Sequence, residues 1–211
     1  MDIQINSIIA FGRYEWRVLD IQNDMILIIT EEVIECRPYH NILMSITWAD
    51  CDMRKYLNNE FYNKFTDQEK LKIITVKNKT PNNPWFNTNG GVDTLDKIFN
   101  LTIEDVVCKY FGDSSTLLYN RGKNQTYWFQ KKDENNYRRI AKYKGVITKW
   151  HLRTPGRYCD RIACVGADGD NMYVSGSAHI TGNPVKSIIL NGKKATDEDH
   201  MGVRPALWLK T

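Results

Sequence analysis

Residues 13–29, RYEWRVLDIQNDMILII, decide the fold class. In the first part Tyr14, Trp16 and Val18 alternate with Arg13, Glu15 and Arg17, the period of two that marks a strand with one buried face. Gln22-Asn23-Asp24 supplies turn chemistry. Met25-Ile26-Leu27-Ile28-Ile29 is a continuous apolar run and reads as a central strand buried on both faces. The two segments form a hairpin.

The C-terminal part continues in strands. Trp150 and Leu152 precede Thr154-Pro155-Gly156, which reads as a turn. Residues 162–165 and 172–174 flank Ala167-Asp168-Gly169-Asp170, a hairpin turn with glycine where a positive φ is needed. Residues 187–190 and 193–195 flank Asn191-Gly192, the strongest short hairpin signal in the chain. Residues 203–209 read as a closing strand.

Between these strands lie three helix starts. Thr47-Trp48-Ala49-Asp50 resembles a capping box, and Met53, Leu57, Phe61 and Phe65 follow as one apolar stripe. Thr66-Asp67-Gln68-Glu69 is a full capping box that opens a short second helix. Thr102-Ile103-Glu104-Asp105 opens a third, with Leu101 and Val106 as a hydrophobic staple and Gly112 as its C-cap. Residues 80–91 (TPNNPWFNTNGG) read as a loop.

The 211 residues, 42% hydrophobic, suit one domain spanning 1–211, with a polar insertion at about 113–134. No segment approaches the roughly 20 apolar residues of a membrane span, and the N-terminus lacks a signal-peptide pattern. The five cysteines, an odd number without a Cys-x-x-Cys pair, suit thiols in a cytoplasm. The net charge of +4 comes from 29 basic and 25 acidic residues that are interspersed, so no nucleic-acid partner is expected.

An ordered series of motifs carries a resemblance. It runs through Phe11-Gly12, Trp16-Arg17-Val18-Leu19-Asp20, Thr47-Trp48, Arg54, Tyr56-Leu57-Asn58, Phe61-Tyr62 and Asp96-Lys97-Ile98-Phe99. It ends with Trp150-His151-Leu152-Arg153-Thr154-Pro155-Gly156 and Gly202-Val203-Arg204-Pro205-Ala206-Leu207. This series resembles a bacterial, clostridial-type family of uncharacterised domains with WWLRSPG and GVRPAL hallmarks. That family is similar in turn to the formylglycine-generating-enzyme group. The resemblance implies an α+β, C-type-lectin-like fold: a twisted, mostly antiparallel sheet, two to three helices and long loops.

Three functions follow from these readings. The first is a non-catalytic module that binds a protein or glycan through loops, with no cofactor. Its candidate ligand-binding residues are the loop aromatics Trp85, Phe86, Tyr127 and Trp128, with Phe129 beside them. These rings serve equally as pins that fasten loops to the core. Arg153 and Arg204 join the candidates because a partly buried guanidinium needs a carboxylate or carbonyl partner. That partner is either a ligand or the sheet itself. The second function is a copper-dependent oxidase. The resemblance implies Cys159 and Cys164, separated by four residues, as metal ligands, and paired thiolates suit Cu(I). The competing reading makes Cys164 a small core hydrophobe. The third is a structural subunit of a phage-derived or defence assembly.

His40, His151, His179 and His200 show no metal-ligand or catalytic spacing. Asp168-Gly169-Asp170-Asn171 and Asp197-Glu198-Asp199-His200 read as a hairpin turn and a solvated loop rather than cation sites.

Overall fold

The computed structural model describes residues 3–115, 135–166, 189–190, 193–194 and 201–211. It is an α+β structure with mostly antiparallel sheets and few helices. The hairpin expected in residues 13–29 is present as β2 (Tyr14–Gln22) and β3 (Met25–Thr30), with β1 (Ile8–Phe11) on the outer side. A register shift between Val18 and Asp20 turns Leu19 inward beside Val18, so strict alternation ends there.

The C-terminal strand pairs with the other edge of β3, which makes β3 a central strand, and the burial of Ile26, Leu27, Ile28 and Ile29 shows that both of its faces are covered. Residues 203–209 do not form one strand. The chain steps between two sheets at Arg204-Pro205. Gly202–Val203 belongs to a four-stranded sheet and Ala206–Lys210 to a five-stranded one. Pro205 has no N–H for a ladder, and its carbonyl accepts from Thr30 N at 3.1 Å. Beyond Ala206–Lys210 the five-stranded sheet ends on the short strand Ile73–Ile74.

In the four-stranded sheet the strand Trp150–Pro155 lies between Ile162–Val165, antiparallel, and Gly202–Val203, parallel, with Glu35–Cys36 at the far edge. Thr154-Pro155-Gly156 is therefore not the turn its composition suggests. The chain stays extended and buried through Pro155 because that stretch has polar partners inside. Thr154 Oγ1 accepts from Ile103 N at 3.0 Å, and the Pro155 carbonyl accepts from Asn83 Nδ2 at 2.9 Å. The turn follows at residues 157–160.

The apolar stripe Met53, Leu57, Phe61 and Phe65 is buried as its spacing predicts. Helix α1 (Asp52–Tyr56) begins later than Thr47, however. Thr47 opens a preceding turn, and Cys51 caps the helix by accepting from Arg54 N through its sulfur. The helix widens into a π turn at Leu57–Phe61 and a 3-10 turn at Tyr62–Lys64. Helix α2 (Asp67–Lys70) carries the full Thr66–Glu69 capping box. At the third start Thr102 and Asp105 cap each other, but only a π-helical turn, Asp105–Lys109, follows; Gly112 then takes φ +98°.

Two hubs fasten the loops to this frame. Buried Asp96 accepts from Trp48 Nε1 (3.0 Å), Arg54 Nε (2.6 Å), Asn78 Nδ2 (3.0 Å) and Thr94 Oγ1 (2.6 Å). Asn58 accepts from Lys97 N and Ile98 N and donates to Ile98 O. Of the remaining hairpins, Val76–Asn78 pairs with Thr94–Asp96 and Lys142–Tyr143 with Val146–Ile147. The hairpin expected around Asn191-Gly192 is present as Ile189–Leu190 against Lys193–Lys194. The strand at 172–174, the turn at 167–170 and most of the 113–134 insertion lie outside the described residues.

Candidate interaction surface

Three loops meet beside the outer end of the Trp150–Pro155 strand. Residues 40–46 form the first. Its start is anchored by Asp52, whose Oδ2 accepts from Asn41 N (3.0 Å) and Asn41 Nδ2 (2.8 Å). Its end is anchored on the turn 156–161, with Ser45 Oγ 2.8 Å from Cys159 Sγ and Ile46 N donating to Cys159 O at 3.3 Å.

The second loop is residues 79–93. Asn83 organises it by accepting from Trp85 N (2.9 Å) and Phe86 N (3.1 Å) while its amide donates to Pro155 O. This is the Asx-type turn that an asparagine stabilises through its own side chain. Thr88 Oγ1 donates to Arg157 O at 2.9 Å. Gly91, at φ +92°, lies so close to Thr47 that an added Cβ would sit 2.7 Å from its side chain. The third loop closes on itself through Gly156 N to Arg161 O and Arg161 N to Tyr158 O, each 3.0 Å.

Among the polar residues that these loops expose are several large apolar side chains. Ile42 is 64% exposed, Leu43 49%, Met44 45%, Tyr158 55% and Val92 70%, whereas Trp85 and Phe86 are half-buried beside them. Single exposed apolar residues are ordinary, whereas a group on adjoining loops makes a candidate for a contact surface. One cation sits among them. The Arg157 guanidinium lies 5.4 Å from the Phe86 ring centre and 5.4 Å from the Tyr158 ring centre. Among the described residues no carboxylate pairs with it, because the neighbouring Asp160 lies instead against Arg161 at 3.8 Å.

The structure places Trp85 and Phe86 together on the Asn83 turn, with Arg157 beside Phe86, and both belong to the candidate surface. It adds Ile42, Leu43, Met44, Arg157 and Tyr158, which the sequence reading did not single out. The signal for the first three was present: three consecutive apolar residues outside any helical or strand period. Tyr127, Trp128 and Phe129 lie outside the described residues, as do His179 and His200.

Arg153 and Arg204 are placed inside the protein. Arg204 donates to Thr30 O (2.9 Å), Glu31 O (3.1 Å) and Arg139 O (3.4 Å), and its guanidinium lies 5.1 Å from the Trp150 ring centre. Burial pushes its pKa down to about 10. Arg153 donates to Asn100 O and Lys79 O, with Asp105 Oδ2 at 3.6 Å. Burial lowers its pKa too, against the opposing pull of Asp105. Both guanidiniums thus take the strand-holding arrangement, tying the hallmark segments to neighbouring backbone.

Cys159 is exposed on the turn against Ser45, whereas Cys164 is enclosed in the strand Ile162–Val165. Burial pushes the Cys164 thiol up to about 12. The two cysteines thus sit in different surroundings, one on an exposed turn and one inside the sheet. His151 is buried, its Nε2 3.0 Å from Arg37 O. Among the described residues no group of three or more His, Cys, Asp or Glu side chains could hold a metal ion.

A separate cleft of about 390 Å³ lies between the β1–β2 turn and the Lys142–Ile147 hairpin. Arg13, Glu15, Glu31, Glu32 and Lys144 line it with both signs of charge, which favours no single ligand. No helix among the described residues is long and apolar enough to cross a membrane.

Comparison with known families gives one match: a family described as a domain of unknown function (DUF6273) aligns over residues 23–211. No curated protein and no solved structure matches the chain.

Proposed function

The chain belongs to the DUF6273 family, and from that premise we propose that it is a non-catalytic binding module that recognises a polypeptide through its loops. The observation that carries the reading is the exposed apolar group Ile42, Leu43, Met44 and Tyr158 on the first and third loops, which are joined to each other, with Trp85 and Phe86 on the second. Aliphatic side chains favour a polypeptide over a glycan, because they offer nothing to the hydroxyl groups of a sugar that would lose water on binding. Aromatic anchors beside exposed aliphatics are the usual composition of a protein-binding surface.

The C-type-lectin-like fold belongs to the same proposal. Its support is the C-terminal strand set inside an antiparallel sheet, with long irregular loops between the elements. A single domain is supported by a core that draws on residues from Trp16 to Leu209 and on both large sheets. A cytoplasmic location suits the five thiols.

The test is a selection of peptides from a random display library on the immobilised wild-type protein. The selected peptides are then measured against a Leu43→Asp/Phe86→Asp variant shown to be folded. The expected result is that most selected peptides lose binding to the variant. Peptides that bind the variant as well as wild type would place the preferred contact elsewhere and remove the reading.

A further inference from the structure

We infer that the segment this surface takes is a linear polypeptide in which apolar residues flank a carboxylate, with the carboxylate received by Arg157. The inference rests on the binding-module reading and adds the chemistry of the partner. Arg157 is the observation behind it. Its guanidinium stands over two aromatic rings, Phe86 and Tyr158, at 5.4 Å from each centre. Its backbone carbonyl is fixed by Thr88, and the preceding residue is fixed by Arg161.

The backbone that carries the cation is thus anchored, and the guanidinium has no carboxylate beside it among the described residues. Several other cations near the loops already face carboxylates, whereas Lys79, at the start of the second loop, stands over no aromatic ring among the described contacts. Arg161 faces Asp160, Arg54 faces Asp96, Lys77 lies 3.4 Å from Asp93, and Lys55 lies 3.6 Å from Asp52. A planar guanidinium over aromatic faces leaves its N–H edges for a carboxylate, the bidentate geometry that arginine favours. The exposed aliphatic residues of the loop that joins this turn through Ser45 and Cys159 would help exclude water from that pair and strengthen it. A basic or neutral apolar segment would gain no such contact, and a basic one would be repelled.

Three fluorescein-labelled probes of equal length decide the matter: one alternating Leu and Asp, one alternating Leu and Asn, one alternating Leu and Lys. Their affinities are measured by fluorescence anisotropy at low and high salt for four proteins. These are wild type, Arg157→Gln, Arg157→Glu and Leu43→Asp.

The expected result is that wild type binds the Leu/Asp probe about tenfold more tightly than the Leu/Asn probe, with the difference shrinking at high salt. Arg157→Gln should remove that preference, and Arg157→Glu should transfer it to the Leu/Lys probe. Equal affinity of wild type for all three probes, lost in Leu43→Asp, would overturn the acidic-partner inference while leaving the surface in place. Binding that Leu43→Asp does not change would overturn the surface reading itself. No binding of any probe by wild type would overturn the inference that a linear apolar and acidic segment is sufficient.

Discussion

The Arg157 guanidinium lies 5.4 Å from the centre of the Phe86 ring, so a turn after one strand and a loop far earlier in the chain share a cation–π contact. At an exposed site such a contact contributes about 0.5–1 kcal/mol. A double-mutant cycle of Arg157→Gln and Phe86→Leu, read by urea unfolding, should show a coupling of that order. A coupling of zero would mean that the two loops are placed independently.

Asp96 is a stronger constraint. One buried carboxylate accepts from four donors on three segments. Asp96→Asn keeps the shape but leaves Arg54 without its counter-charge and turns one acceptor into a donor. Removing one partner of such a network costs about 3–5 kcal/mol. Denaturant unfolding should show a loss of that size, with Lys77→Ala as a surface control changing stability by less than about 0.5 kcal/mol. A near-neutral Asp96→Asn would show that the network is not formed as described.

Arg204 holds the point where the chain passes from one sheet to the other. Its three carbonyl partners come from residues 30, 31 and 139. Lysine carries the charge but not the planar fork, so Arg204→Lys should destabilise the fold by about 2–4 kcal/mol. Thermal unfolding of Arg204→Lys beside Arg153→Lys would check this. A full-stability Arg204→Lys would contradict the strand-holding role.

The loop that presents Ile42, Leu43 and Met44 should loosen in acid. Partial burial alone would raise the Asp52 pKa. The Asn41 backbone N–H outweighs it, together with His40 and Lys55, and holds the group below its ordinary value of 3.8. A carboxyl with a depressed folded pKa stabilises fully above its unfolded value, and that contribution disappears as pH falls through the folded one. Hydrogen exchange at Asn41, corrected for intrinsic rates, should therefore hold its protection to about pH 4 and lose it below. Asp52→Asn should abolish this acid step; an unchanged step in the variant would assign it to another group.

The local signals in the sequence were strong where backbone chemistry is local. The residue 13–29 hairpin, the Thr66–Glu69 capping box and the Asn191-Gly192 hairpin all follow from short-range pattern. The errors arose where distant partners decide. Thr154-Pro155 looks like a turn until Ile103 and Asn83 supply its polar partners from afar. Residues 203–209 look like one strand until Pro205 faces Thr30 and the chain changes sheets. The surface was half legible. Trp85 and Phe86 announced themselves as aromatics in a polar loop, whereas Arg157 gained meaning only once folding set it between two rings.

The central claim is that the three loops form one binding surface, and NMR titration of the isotope-labelled protein with the Leu/Asp probe tests it most directly. The account predicts that the largest shift changes fall on residues 42–44, 85–86 and 157–158, including the Arg157 side-chain Nε–H signal. Changes centred on the cleft around Tyr14 and Tyr143, with the three loops unmoved, would contradict it.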